Sequence, residues 1–324
     1  MHQEITNALI GFFWASILSL GGTYGWIRFS KREAIGQPIR SDGNQAHLKK
    51  AGTPTMGGVV FTLTALILLF ILQGFHPETI FLALSTFGFA GIGFLDDYEK
   101  VKKKENEGLT PRQKLYLQFA LAFVLVLFAF LMQGALGRQK IPFFNVTWQW
   151  GIFWIPILMF VLVGTANAVN LTDGLDGLCA GVSLPVFFAL ALAGWLYPLP
   201  GQMTGRVYSL LFAGALVGYL FFNAHPASLM MGDTGSMAIG GALCGLVLLY
   251  NRPLYLVILG GVYLMEALSV ILQVAYFKRT GGKRLFKMSP IHHHFELSGF
   301  PEEKITVAFS LISLLLSLVT LIIL

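Results

Sequence analysis

Charged residues are scarce in this chain. Only 12% of its 324 residues are Asp, Glu, Lys or Arg, whereas 55% are hydrophobic and the mean hydropathy is +0.70. A soluble domain carries about 25% charged residues, so this chain has too few polar side chains to cover a water-facing surface. The scarcity excludes an ordinary soluble domain and predicts that lipid surrounds much of the protein.

Cysteine is nearly absent as well. Cys179 and Cys244 both lie in apolar stretches, where they behave as small buried hydrophobic residues. Two such cysteines exclude a disulfide framework and a cysteine-based metal site. We also expect no cleavable signal peptide, because the first apolar stretch lacks a basic start and is long enough to span a membrane.

Long apolar runs dominate what is present. Ten candidate spans occur, at residues 5–27, 55–73, 78–95, 115–133, 151–169, 178–197, 205–222, 236–250, 254–277 and 304–324. A run of about 20 apolar residues crosses a bilayer, and its backbone must be helical because lipid offers no hydrogen-bond partners. The sequence therefore predicts an all-α polytopic membrane protein with ten transmembrane helices. No linker divides it, so residues 1–324 are expected to form one domain.

Basic residues mark the sides of the membrane. Of the 22 lysines and arginines, all but Arg138, Lys140, Arg206 and Arg252 fall in or beside one set of alternating polar segments. The positive-inside rule places that set in the cytoplasm, and ten spans then put both termini outside. The net charge of +6 is therefore mostly a topology signal. No nucleic-acid motif accompanies it, so we expect membrane lipid and no nucleic acid as partners.

Acidic residues gather at the cytoplasmic ends of the spans. Placing a carboxylate at the membrane boundary costs free energy, so its presence there indicates a functional role. Asp96 and Asp97 end one span and point about 100° apart on a helix. One could bind a metal while the other contacts substrate or accepts a proton. A solvated helix end with an ion pair to Lys100 is the plainer alternative.

A second polar group recurs at every third position, at Asn167, Asn170, Asp173 and Asp176. Such residues are neighbours on a helix, and Gly174 lets the backbone turn or approach a ligand. Amide, hydroxyl and carboxylate groups together suit a sugar or nucleoside. A helix cap and turn would explain Asp173, but not the two asparagines.

Asp233 follows Asn223 in a third polar group, just before an apolar span. It could be a helix N-cap, but the same exposed position suits an oxygen ligand for Mg²⁺. Three separated carboxylate groups on one membrane face favour the metal site.

The last cytoplasmic segment contains the consecutive histidines His292, His293 and His294. Adjacent residues rarely converge on one zinc ion. We therefore interpret the histidines as donors to phosphate or sugar oxygens, or as partners of the acids. The alternative is an ordinary surface loop. In the ninth span, Glu266 is either functional or an interhelical contact, and Gln273 is the better ligand candidate.

Lys50 precedes the glycine-rich start of the second span. Glycines and basic residues at a helix N-terminus resemble an anion site, although a simple helix start fits equally well. The order of residues excludes a Walker A loop.

Five segments together resemble one known family: GTPTMGG (52–58), DDYEK (96–100), NAVNLTDGLDG (167–177), MGDTGS (231–236) and SPIHHHFE (289–296). The chain resembles the phospho-N-acetylmuramoyl-pentapeptide transferases, or MraY-type translocases I, within the polyprenyl-phosphate N-acetylhexosamine-1-phosphate transferase superfamily. The SPIHHHFE segment separates it from relatives that use UDP-GlcNAc.

The resemblance implies Mg²⁺-dependent transfer of phospho-MurNAc-pentapeptide from UDP-MurNAc-pentapeptide to undecaprenyl phosphate, giving lipid I and UMP. It also implies a homodimer in the bacterial inner membrane with a cytoplasmic site. Carried over by motif, the catalytic and metal-binding acids are Asp96, Asp97 and Asp233. The expected substrate-binding residues are Lys50, Asn167, Asn170, Asp173, Asp176, Asn223, Gln273, His292, His293 and His294.

Two other functions stay open at this point. One is a UDP-GlcNAc-1-phosphate transferase acting on the same class of lipid. The other is an ion-coupled transporter, which also has many spans and buried acids. A transporter needs its polar groups near the membrane midplane, whereas here they lie at the cytoplasmic ends of the spans.

Overall fold

The structure is a computed structural model that describes residues 2–33, 35–36, 52–103, 107–134, 137–144 and 146–324. Lys50 lies outside the described residues. The helices are α1 His2–Arg32, α2 Gly58–Gln73, α3 Pro77–Lys103, α4 Pro111–Gln133, α5 Trp154–Thr172, α6 Leu178–Leu196, α7 Gln202–Asn223, α8 Gly232–Leu249, α9 Leu256–Leu259, α10 Gly261–Arg279, α11 Ile291–Glu296 and α12 Glu302–Ile323.

Nine helices in the described part of the chain are long and apolar enough to cross a membrane. They are α1, α3 to α8, α10 and α12, and they confirm an all-α polytopic membrane protein. The remaining predicted span is α2, which has 16 residues. At 1.5 Å per residue it is about 24 Å long, somewhat shorter than the hydrocarbon core of about 30 Å.

The predicted ninth span, 254–277, is not one helix. The chain forms a 3₁₀ turn at Pro253–Tyr255, then α9, and it restarts as α10 after a break at Gly260. Consecutive glycines weaken a helix and allow such a break, which the apolar run of the sequence conceals. The loop that follows α10 was predicted as a polar connection, and it contains the short helix α11.

Helix α8 is the centre of the bundle. It packs mainly against α2, α3 and α5 and also contacts α4, α6 and α7, and all of its residues except Gly232 and Asp233 are buried. Small side chains permit this packing: a Cβ added at Gly240 would lie 2.7 Å from Ala166 Cα. The exposed start of α8 therefore presents Asp233 from the most enclosed helix of the protein.

A two-stranded hairpin occupies the segment between α4 and α5. Strands β1 (Arg138–Lys140) and β2 (Thr147–Gln149) pair antiparallel. Trp148, Trp150 and Trp154 then stack in sequence, with ring centroids 5.0 and 5.3 Å apart. Stacked tryptophans suit a membrane–water interface.

Candidate active site

Three aspartates meet where α3 ends and α8 begins. One oxygen from each of Asp96, Asp97 and Asp233 lies within 4.8 Å of the other two. Asp96 and Asp97 are buried, whereas the side chain of Asp233 is 21% exposed. The structure thus brings together the three carboxylates that the sequence predicted as catalytic and metal-binding.

Glycine lets the two helices approach closely enough for this meeting. A Cβ added at Gly93 of α3 would lie 2.2 Å from the backbone oxygen of Asp233. At the start of α2, a Cβ at Gly58 would lie 2.1 Å from Gly235 Cα. Since the obstructing atoms belong to the backbone, no side-chain rotation can relieve either clash.

Asp97 caps the N-terminus of α8. Its Oδ1 accepts a hydrogen bond from the Asp233 N–H at 3.0 Å, and its Oδ2 accepts from the Thr234 N–H at 2.8 Å and the Thr234 hydroxyl at 2.6 Å. A helix start leaves N–H groups without intrahelical partners, and a carboxylate satisfies them well. Asp97 therefore fixes the position of Asp233.

Two lysines neutralise the cluster. Lys100 Nζ lies 2.5 Å from Asp96 Oδ2 and 3.1 Å from Asp233 Oδ2, and Lys114 Nζ lies 2.6 Å from Asp233 Oδ2. The sequence reasoning noticed Lys100 but missed Lys114 as a site residue. A signal was present: Thr110 forms a capping box with Gln113, which fixes the start of α4 and puts Lys114 in its first turn.

The remaining contacts hold individual oxygens in place. Asp96 Oδ1 accepts from the Leu109 N–H at 2.9 Å. Asn170, at the end of α5, donates to Asp233 Oδ1 at 3.0 Å and to the Ser236 hydroxyl at 2.8 Å. The predicted contact residue Asn170 thus belongs to this cluster, and Ser236 joins it.

The donor set suits a magnesium ion. Mg²⁺ prefers oxygen ligands, and it is commonly held by one or two carboxylates together with substrate phosphates. Asp96 and Asp233 are the two carboxylates best placed to bind the cation, because their Oδ2 atoms already form ion pairs with lysine ammonium groups. Both oxygens of Asp97 instead accept hydrogen bonds from the start of α8. When bound, the cation would supply charge neutralisation for a diphosphate.

Comparison with known proteins decides the family. Residues 79–251 match the family model described as Glycosyl transferase family 4, and residues 50–61 match signature 1 of phospho-N-acetylmuramoyl-pentapeptide-transferase. Proteins of that name are similar over nearly the whole chain. The one from Oceanobacillus iheyensis is 42% identical, covering 98% of this chain and 97% of the relative. The chain belongs to the phospho-N-acetylmuramoyl-pentapeptide-transferase family.

Further members of this transferase family agree. The protein from Caldanaerobacter subterraneus subsp. tengcongensis is 45% identical over 97% of both chains, and that from Clostridium perfringens strain 13 is 48% identical over 86% of both. The predicted resemblance is confirmed, and the chain is an enzyme, a glycosyl-1-phosphate transferase of peptidoglycan synthesis.

Asp176 lies in a second cluster of this transferase. Its Oδ2 accepts from the Ala227 N–H at 3.0 Å and faces His225 Nδ1 at 3.1 Å, while its own N–H donates to Glu302 at 2.5 Å. Asn223 makes a parallel connection, accepting from the Gly177 N–H and donating to the Leu229 carbonyl. Both residues join the α5–α6 loop to the α7–α8 loop.

The other predicted site residues have partners within the transferase. Asn167 pairs with Gln118 of α4, and the Gln273 amide accepts from two backbone N–H groups at residues 285 and 286. His293 Nδ1 lies 3.0 Å from Glu296, and His294 Nδ1 accepts from the Lys287 N–H. Asp173 lies at the C-terminal end of α5. Their contacts with substrate stay predictions.

We expect Asp176→Ala to lower the thermal stability of the substrate-free transferase. The change leaves the Ala227 N–H without its acceptor, and an unsatisfied group of this kind costs about 1–3 kcal/mol. Thermal unfolding in detergent measures the effect. Glu303→Ala is the matched control, because Glu303 touches the same histidine but its side chain is 55% exposed. Equal losses in the two variants would contradict the structural role of Asp176.

Proposed function

We propose that this enzyme transfers phospho-MurNAc-pentapeptide from UDP-MurNAc-pentapeptide to undecaprenyl phosphate, with Mg²⁺, giving lipid I and UMP. The observation that carries the proposal is the cluster of Asp96, Asp97 and Asp233 with two lysines at a meeting of helix ends. Relatives that are 42–48% identical bear the name of this transferase. The names of the relatives identify the sugar-phosphate group that is transferred. The carboxylates and lysines of the cluster provide the charged groups needed to bind a diphosphate donor.

The same proposal includes the arrangement in the membrane. Ten spans are obtained when α2 is added to the nine long helices, and an even number puts both termini on one side. The bias of basic residues supports an extracytoplasmic location for the termini and a cytoplasmic site in the bacterial inner membrane. We include a single catalytic domain over residues 1–324 and a homodimer, as the family resemblance implies.

The chemistry exchanges one phosphoanhydride for another. An oxygen of the lipid phosphate attacks the β-phosphorus of the donor, and the bond from that phosphorus to the bridging oxygen breaks to release UMP. Bringing two anions together is the main difficulty, so positioning and charge neutralisation supply most of the catalysis. Lys100 and Lys114 are placed to pair with phosphate oxygens, and Asp96 to orient the attacking phosphate or accept its proton.

The rival pathway passes through a covalent aspartyl phosphate. The structure disfavours Asp97 as its nucleophile, because both oxygens accept hydrogen bonds from the start of α8. Exchange of labelled UMP into the UDP-sugar without any lipid acceptor would support the covalent pathway. We expect no such exchange.

The proposal is tested by UMP release in detergent from UDP-MurNAc-pentapeptide. We expect release only when both undecaprenyl phosphate and Mg²⁺ are added, because the acceptor and the charge neutralisation are both required. Absence of release from correctly folded protein would overturn the donor assignment, and UDP-GlcNAc is then the donor to try. Uptake of a solute into sealed vesicles without UMP release would indicate a transporter.

A further inference from the structure

An ionisable pair lies buried outside the carboxylate cluster. Glu266 of α10 and His292 of α11 are both 0% exposed, and Glu266 Oε1 lies 3.1 Å from His292 Nδ1. Even so, neither oxygen of Glu266 and neither ring nitrogen of His292 has a hydrogen-bond partner among the described residues. Buried polar groups are nearly always paired, so four such atoms in one place require an explanation.

His292 also touches the loop between α5 and α6. A Cβ added at Gly174 would lie 2.1 Å from His292 Nε2, so the imidazole rests directly on the backbone of that glycine. The loop carries Asp173 and Asp176, and it follows Asn170, which holds Asp233. The His292 ring centroid is 4.2 Å from that of His293. The buried pair therefore connects α10 with two predicted substrate-binding segments.

We propose that Glu266 is a positioning residue: it orients His292, which sets the α5–α6 loop for the nucleotide donor. This inference rests on the proposed function and deepens it. A carboxylate that faces one ring nitrogen of a histidine fixes the orientation of the ring and which nitrogen carries the hydrogen. With Nδ1 toward Glu266, Nε2 lies directly against the backbone of Gly174.

We expect the loop to affect binding of the nucleotide donor rather than of the lipid acceptor, because of the residues that it contains. Amide, hydroxyl and carboxylate groups between Asn170 and Asp176 suit the hydroxyls and ring edges of a nucleoside, whereas a polyprenyl chain requires an apolar groove. Gly174 has no side chain, so the imidazole can lie against the loop backbone. We expect movement of the ring to move the loop, whereas the carboxylate cluster and its lysines are held by contacts among α3, α4 and α8.

The test compares donor KM, acceptor KM and kcat in detergent for three variants. We expect Glu266→Ala and Gly174→Ala to raise donor KM about tenfold or more, with acceptor KM unchanged and kcat within about threefold. Glu266→Gln keeps an oxygen that can face Nδ1, and we expect it to hold donor KM within about threefold of the unmodified enzyme. Gly164→Ala is the matched control, since a Cβ there meets nothing within 4 Å.

An unchanged donor KM in Gly174→Ala and in folded Glu266→Ala would overturn the inference. A loss confined to kcat would also overturn it, because the pair would then act on the reaction itself. If Glu266→Ala fails to fold, Gly174→Ala and Glu266→Gln decide. Wild-type protein without any UMP release would instead count against the proposed function, so the two failures are distinguishable.

Discussion

Asp233→Asn is expected to reduce UMP release by a factor on the order of 10²–10³, the scale seen when one preorganised electrostatic group is removed from an active site. Asp233 is where the cluster converges: Lys100 and Lys114 contact its Oδ2 atom, and Asn170 donates to its Oδ1 atom. An amide of the same shape keeps the backbone contacts with Asp97 and removes the charge. Initial rates over a range of Mg²⁺ concentrations measure the loss.

Glu99→Gln is the matched control for Asp233→Asn. Glu99 lies on the same turn of α3 as the two aspartates, but its partner is Lys103, and the two side chains are 33% and 48% exposed. Exposed ion pairs contribute little, so this variant should keep nearly full activity. Equal activity losses in the two variants, or full activity in Asp233→Asn, would remove Asp233 from the catalytic assignment.

Gly93→Ala is expected to damage both stability and activity severely. The added methyl group would lie 2.2 Å from the Asp233 carbonyl oxygen, so α3 and α8 must separate where the carboxylates meet. Overpacking of this kind costs about 1–3 kcal/mol or more, and a displacement of about 1 Å at a reacting centre can cost about 10²-fold in rate. Thermal unfolding and UMP release in detergent measure the two effects.

Gly91→Ala tests the same substitution two residues earlier on the same helix. A Cβ there meets nothing within 4 Å, and replacing a helical glycine by alanine stabilises a helix by about 0.5–1 kcal/mol. We therefore expect unchanged activity and equal or higher thermal stability. If both variants behave alike, the close approach of α3 and α8 does not govern the site.

The sequence predicted the helices and the three aspartates because both leave simple patterns. Apolar length identifies a span without any knowledge of its neighbours, and carboxylates at the ends of spans are too costly to be incidental. The break at Gly260 was missed, since apolar composition continues across it. Helix α11 was missed because six residues are too few to give a periodic signal.

The partners of the site residues could not be predicted from the sequence, because they depend on which helix ends meet. Lys114 is separated from Asp233 by 119 positions, and nothing along the chain links them. Asp97 was predicted as a metal ligand beside Asp96, and that role stays a prediction; the structure adds that both of its oxygens accept hydrogen bonds from the start of α8. Glu266 had two open interpretations, and only its contact with His292 favours one.

The burial of α8 has a consequence for the timing of turnover. A helix that contacts six other helices and is capped by Asp97 cannot move on its own without breaking contacts along most of its length. We therefore expect the motions that admit the proposed nucleotide donor and release its product to come from the surrounding polar loops, where local opening costs least. In kinetic terms, α8 is the stationary part of the enzyme, and the exposed start of the loop after α10, residues 281–285, is the segment whose opening rate we expect to limit product release.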